Sequence, residues 1–409
     1  MKNSKPKRRR GNSSNNNSFS NNSGRPFNKR SNSRSRGKNR FGGDKIDIRK
    51  FINKASVSKA PEPIKLDHSF KDFDFAQEIQ RNLDMIGYSE PTPIQDQSIK
   101  PIMKGHDLLG LANTGTGKTA AFLLPLINKC FNDKSQNVLI IAPTRELAQQ
   151  IDQEFKKFAR NMKLYSAVCV GGVPIFRQIS DLKRKPNFII GTPGRLKDLK
   201  KRSNINFASF QNIVLDEIDR MLDMGFVDEI RRILDELPKE RQTLFFSATM
   251  PSKIEILVQE FLNKPITIKV TTGETSANVD QDVIRVGRDQ KFDYLKDLLA
   301  KEEQKKVLIF SKTKRDVDKL AKGLLASGFK ADSIHGDKRQ NQRQKALKRF
   351  KDNQVSILVA TDVAARGIDV DNVSHVINFT VPQTYDDYVH RIGRTGRGGK
   401  KGVALTFVN

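Results

Sequence analysis

From residue 66 onward the chain alternates short apolar runs with amphipathic stretches, and few folds accept that rhythm. The runs DLLGLA, VLIIAP, YSAVCV, FIIGTP, NIVLDE, TLFFSAT and ITIKV are separated by stretches with helical spacing. After TTGETSANVD (271–280) the pattern resumes with VIRVG, VLIFSK, ADSIH, SILVAT, HVINFT and VALTFV. Short apolar runs between helices indicate βαβ units, whose parallel strands are covered on both faces. The spacing predicts an α/β chain in two blocks, residues 66–270 and 281–409, with 271–280 as a polar linker.

What precedes the first block cannot share its core. Residues 1–43 hold 13 Lys/Arg, no acid, and 24 Asn, Ser or Gly. Such a segment buries too little apolar area to offset its ordering entropy and is expected to be disordered. It reads either as a solubilising tail or as a non-specific arm for nucleic-acid phosphates. The apolar residues of DKIDIRKFINKA are irregularly spaced, so 44–65 reads as a linker or a short docking segment. The chain as a whole has 74 Lys/Arg against 46 Asp/Glu, a net charge of +28, which points to a polyanionic partner. No apolar run approaches the roughly 18 residues of a membrane span, and no apolar stretch of the secretory kind follows the basic start. Cys130 and Cys169 are too few for a disulfide framework or a Cys-built zinc site and fit a reducing compartment. The expectation is a cytoplasmic, monomeric protein with no membrane partner.

The strongest local signal is ANTGTGKT (112–119), which follows an apolar run and opens a helix. Gly115 and Gly117, with Thr114 and Thr116 in the same loop, let backbone N–H groups approach phosphate oxygens, and the helix N-terminus adds a favourable dipole. Lys118 reaches the β/γ-phosphates and Thr119 is placed to bind Mg²⁺ through its hydroxyl. NIVLDEID (212–219) supplies the acidic partner: Asp216 to hold Mg²⁺, and Glu217 to orient and activate water. Taken alone, Asp-Glu after a strand is more often a solvated turn; the P-loop upstream gives it weight. HRIGRTGR (390–397) offers Arg394 and Arg397 in the second block, suited to neutralise transition-state charge at the γ-phosphate. A site so divided would hydrolyse only when the two blocks close.

From about Phe70 onward the sequence resembles the DEAD-box family of ATP-dependent RNA helicases. GYSEPTPIQ (87–95), the P-loop, PTRELAQQ (143–150), Gly171-Gly172, TPGR (192–195), DEID (216–219) and SAT (247–249) come in family order. VLIFSKTK (307–314), QNQR (340–343), ATDVAARGID (360–369) and HRIGRTGR complete the set. The resemblance implies two RecA-like domains with parallel sheets that bind ATP and single-stranded RNA across a shared cleft. It implies that Gln95 reads the adenine edge and that Phe70, 17 residues upstream of Gly87, stacks on the ring. It carries RNA contacts onto Arg145, Gly172, Thr192, Arg195, Arg343 and Thr361, and a ribose contact onto Asp369. Small and cationic groups at loop tips suit phosphate and 2′-hydroxyl contacts rather than base edges. Ser247 and Thr249 are implied to bridge to Asp219 and His390.

The sequence departs from the family pattern at Ile218, where the family has Ala. An over-packed Ile there costs roughly 1–3 kcal/mol unless a neighbour is smaller; compensation and retained activity are expected. Family members also carry a helix after a strand such as GVALTFV; either the sheet is finished by its last strand or 44–65 takes the helix's place. The implied function is RNA-stimulated ATP hydrolysis coupled to local unwinding or ribonucleoprotein remodelling. The alternative is an ATP-dependent RNA clamp or annealing chaperone. A DNA helicase is disfavoured by the Q motif and ATDVAARGID.

Overall fold

The computed structural model describes residues 51–53, 66–113, 115–270, 278–301, 306–365, 370, 372–396 and 400–409. The basic tail, most of 44–65, and Thr114, Asp369 and Arg397 lie outside the described residues.

The first block folds around seven strands: β1 (Leu108–Ala112), β2 (Val138–Ile141), β3 (Ser166–Cys169), β4 (Phe188–Gly191), β5 (Asn212–Leu215), β6 (Gln242–Ser247) and β7 (Ile266–Val270). Its helices are α1 (Gln77–Met85), α2 (Pro93–Met103), α3 (Lys118–Asn132), α4 (Arg145–Phe158), α5 (Ile175–Lys183), α6 (Pro193–Lys201), α7 (Ile218–Asp223), α8 (Val227–Asp235) and α9 (Ser252–Phe261). The second block contributes β8 (Val279–Arg285), α10 (Lys291–Lys301), β9 (Val307–Phe310), α11 (Lys314–Ala326), β10 (Ala331–Ile334), α12 (Gln340–Lys351), β11 (Ile357–Ala360), α13 (Asp362–Ala365), β12 (His375–Asn378), α14 (Tyr385–Ile392) and β13 (Gly402–Val408). The sheet orders are β3-β4-β2-β5-β6-β1-β7 and β10-β11-β9-β12-β13-β8. All the strand pairs within them are parallel.

The apolar runs become central strands because both of their faces are covered. In the first sheet, alternate residues part into two cores. Leu108, Ile140, Val214, Leu244 and Phe246 join one. Leu109, Ile141, Ile213, Leu215 and Phe245 join the other. The second sheet divides likewise: Leu308, Phe310, Leu358 and Val376 lie on one side, and Val307, Ile309, Val359 and Ile377 on the other. Several helix starts carry side-chain caps: the Thr144, Thr313 and Thr384 hydroxyls accept from the N–H groups of Leu147, Asp316 and Asp387. Both cysteines are free and buried, and burial pushes their thiols up to about 12, so they act as packing groups. Among the described residues no helix is long and apolar enough to cross a membrane.

Two features differ from the sequence reading. Strand β8 begins at Val279, two residues inside the stretch read as linker, because Val279 is drawn into a buried cluster of the second domain. The last strand in sequence, β13, lies between β12 and β8 and does not form the sheet edge. Beyond β8, Asn53 forms an isolated antiparallel bridge with Gln281, so part of the 44–65 segment docks on the second domain.

Candidate active site

Three neighbouring strands, β5, β6 and β1, end side by side and deliver the site residues at their carboxyl ends. After β1 the chain turns at Gly117, which adopts φ 93° and caps α3. A Cβ there would collide with the amide of Gln95, so only glycine fits this turn. Lys118 is buried and its Nζ donates to the Ala112 carbonyl at 2.7 Å, folded back over the loop. Thr116 Oγ1 donates to Asn113 O at 2.8 Å. Gln95 lies 2 % exposed against the loop: Nε2 donates to Gly117 O at 3.0 Å and Oε1 accepts from Thr92 N–H at 2.9 Å. Its amide ties the Q-motif helix to the phosphate loop. Phe70 is buried against Phe73 and Tyr88.

Asp216, Glu217 and Asp219 are buried where β5 runs into α7. Glu217 takes a left-handed backbone, φ 53°, a strained conformation for a residue with a side chain. Burial pushes the Asp216 carboxyl up to about 7; Lys118 pulls against this, while Glu217 and Asp219 add to it. Burial also raises Asp219, but Lys118, Arg220, His390 and the Ala248 N–H outweigh it and hold that carboxyl below its usual range. Asp219 Oδ2 accepts from Ala248 N (2.9 Å), Thr249 N (3.0 Å) and Thr249 Oγ1 (3.3 Å). The expected Thr249–Asp219 bridge is present. The Ser247 hydroxyl instead donates to Thr249 O at 2.7 Å, bracing the turn.

The second domain brings His390 to this cluster. Burial and then Arg220 push its imidazole down to about 4, with Asp219 opposing and Arg394 adding to the shift. It is a neutral spacer at pH 7, which suits a structural link between domains rather than a base. Arg394, 5 % exposed, sits in the turn that continues α14. Arg391, three residues earlier, is committed elsewhere: to Asp362 by Nε and Nη2 (2.6 and 2.8 Å), and to Asn378 Oδ1 and Thr380 O by Nη1.

A cleft of about 450 Å³ opens beside these groups, lined by Pro143, Thr144, Arg145, Glu146, Gly171, Thr192, Gly194 and Arg195 of the first domain and by Gly336, Arg343 and Val363 of the second. Four of the six expected RNA contacts line it. Gly172 lies next to it at φ 72°, where a Cβ would run into the Arg145 guanidinium. Thr361 is buried at the end of β11, two residues before Val363. A polar latch crosses the two domains here. Glu146 accepts from Arg343 Nη2 (2.9 Å) and Gln340 Nε2 (3.0 Å), and Arg145 Nη1 donates to Gln340 Oε1 (3.4 Å). Arg343 therefore serves domain contact as well as facing the cleft.

Arg220, Glu146 and Gln340 were missed in the sequence. Arg220 is 1 % exposed and its Nη1 lies 2.8 Å from Glu217 Oε2. Its spacing of three from Glu217 on a helix start was the available signal. The partners of Glu146 lie 194 and 197 residues away, and only the fold joins them.

A phosphate loop and paired carboxylates on one parallel α/β domain, met by an arginine helix from a second, define a two-domain P-loop nucleoside-triphosphatase. The DEAD/DEAH box helicase family matches residues 92–257, and the helicase conserved C-terminal domain matches residues 290–399. The chain belongs to the DEAD-box ATP-dependent RNA helicases. It is 46 % identical over 343 residues to the DEAD-box ATP-dependent RNA helicase CshA of Bacillus subtilis (strain 168), covering 83 % of this chain and 69 % of that one. Among solved structures it is similar to the DEAD-box helicase Mss116 bound to ssRNA and UDP-BeF, with TM-score 0.75, 33 % identity, and 83 % and 74 % of the two chains covered. S. cerevisiae Dbp5 bound to RNA and ADP BeF3 is also similar, with TM-score 0.74, 28 % identity, and 83 % and 89 % covered.

Proposed function

We propose that this chain hydrolyses ATP in response to RNA and couples closure of its two domains to local opening of RNA duplexes or remodelling of ribonucleoprotein. The observation that carries this reading is the position of His390, from the second domain, against Glu217, Asp219 and Arg220 of the first, with Arg394 next to His390. A site assembled from both domains works only when they close, and the cleft beside it is lined from the same two domains. RNA bound there favours the closed state, which is the thermodynamic route by which RNA stimulates turnover.

In this mechanism Lys118 leaves the Ala112 carbonyl for the β/γ-phosphates, and the backbone N–H groups from Gly115 to Thr119 cradle them. Glu217 orients and activates the attacking water, and Arg394 neutralises charge that develops at the γ-phosphate. Mg²⁺ would be held by Asp216 and the Thr119 hydroxyl, where it would neutralise phosphate charge. The residues fit it in kind: the Asp216 carboxylate, buried close to Glu217 and Asp219, and the Thr119 hydroxyl are oxygen donors of the sort a hard cation takes. Arg145, Gly172, Thr192, Arg195, Arg343 and Thr361 would hold the RNA backbone. The test is steady-state ATPase with and without single-stranded RNA, together with strand separation of a short RNA duplex with and without ATP. RNA-independent turnover would remove the reading. RNA-stimulated turnover with no strand separation would leave a clamp.

Ile218, the departure in DEID, is fully buried among Leu215, Met221, Leu222 and Phe245. Ile218→Ala is expected to lower stability by about 2–5 kcal/mol by opening a cavity, as read by urea unfolding, without raising turnover.

The tail carries a separate expectation. Deleting residues 1–43 removes 13 positive charges and should weaken RNA binding and flatten its salt dependence. Each lost phosphate contact lowers the log–log slope by about 0.7 on single strands. An unchanged slope would take the tail off the RNA.

A further inference from the structure

The residues just ahead of the first domain are built into the second. Phe51 is fully buried there, in a cluster with Val279, Tyr388, Ile392 and Ala404. Its ring centroid lies 4.3 Å from that of Tyr388. Asn53 pairs with Gln281 through two backbone bonds, Asn53 N–H to Gln281 O at 3.1 Å and Gln281 N–H to Asn53 O at 2.7 Å. The Tyr388 hydroxyl donates to Gln281 Oε1 at 2.9 Å and reaches Phe51 O at 3.5 Å. The strand pairs of this sheet are parallel, so an antiparallel bridge on edge strand β8 is an added piece, supplied from outside the domain.

Its position bears on catalysis because of what else α14 carries. Tyr388 and Ile392, four apart, form the stripe that meets Phe51. His390 lies about half a turn round the helix, facing Asp219, Arg220 and Glu217, and Arg394 follows two residues past the helix end in a turn held by its N–H to the Arg391 carbonyl at 3.1 Å. Helix α14 has eight residues, too few to hold itself by backbone bonds alone. Its pose is set by packing: the Arg391 network on one side and Phe51 on the other. The segment is also joined along the chain to the first domain, so its noncovalent docking on the second ties the two together beside the interdomain linker and acts at high effective concentration.

We infer that Phe51–Asn53 is a strap in cis that fixes α14, which makes Phe51 a positioning residue for ATP hydrolysis acting through Tyr388 on Arg394. The inference rests on the proposed role of Arg394. The whole strap is a single aromatic anchor and one bridge on a sheet edge, so it is releasable, and its docking sets how well the arginine is aimed.

The experiment is a double-mutant cycle in the full chain: Phe51→Ala, Arg394→Ala and both together, with kcat and KM for ATP at saturating RNA and thermal unfolding of each. Phe51→Ala is expected to lower kcat on the order of tenfold or more, since small misplacement of a catalytic group is costly, while KM for ATP stays within about twofold because the P-loop is untouched. Phe51→Leu is expected to recover most of the loss. The double variant is expected to be no slower than Arg394→Ala alone, the signature of two residues on one route. A lowered melting temperature with unchanged kcat makes Phe51 a packing residue and overturns the inference. So does a double variant whose loss is the product of the two single losses. Wild-type turnover in Arg394→Ala overturns the arginine reading, and the strap's route with it, and is a distinct result. If Phe51→Ala folds poorly, Asn53→Pro removes one bridge hydrogen bond at an exposed residue and no core atom; the same kcat loss is then expected, and its absence is equally fatal.

Discussion

Arg394→Ala is expected to bind ATP as the wild-type chain does and to turn it over on the order of 10³-fold more slowly at saturating RNA. That factor is about 4 kcal/mol of transition-state stabilisation, which one positive charge about 4 Å from a developing negative charge supplies at an effective dielectric near 20. The geometry separates this arginine from its neighbour. Arg391 is anchored by four hydrogen bonds to Asp362, Asn378 and Thr380 and stacks over Phe310. Arg391→Ala should therefore unfold the second domain before it touches chemistry. Arg394 lies beside neutral His390, which itself faces the first domain's carboxylates. Steady-state kinetics and binding of a non-hydrolysable ATP analogue check the point: turnover within about threefold of wild type would take Arg394 off the site.

The parts of this arrangement that were legible in the sequence are those whose physics is local. VLII, FIIG and NIVL are buried along their whole lengths, and a strand covered on both faces must read as an unbroken apolar run. The phosphate loop was legible because Gly117 at φ 93°, leading into a helix that opens on Lys118, admits few alternatives. What stayed hidden depends on distance along the chain. Glu146 reads as one more helix charge until Gln340 and Arg343 arrive from nearly two hundred residues away. Phe51 is one apolar residue in an irregular segment, and its partner Tyr388 lies 337 positions later. Gln95 was legible as a site residue, but its bonds to Gly117 O and Thr92 N–H, which join two motifs into one unit, were not.

Glu217→Gln should retain ATP and RNA while turnover falls by about 10²–10⁴, the range for losing a general base. With hydrolysis blocked, the closed state should persist, read as slow RNA release in the presence of ATP. Arg220 complicates the experiment in a useful way. Its guanidinium is buried 2.8 Å from the Glu217 carboxylate, so a neutral amide at 217 leaves a buried charge short of its counter-charge. Breaking such a pair costs about 3–5 kcal/mol, and nearby Asp219, held low in part by Arg220, offsets some of it. Two effects then run together in the single variant: lost chemistry and lost stability. Pairing Glu217→Gln with Arg220→Gln removes the orphaned charge. The double variant should regain melting temperature and stay inactive, since the base is still absent. Recovery of turnover along with stability would show that Glu217 matters only as the partner of Arg220, and the water-activating role would have to pass to another carboxylate of the cluster.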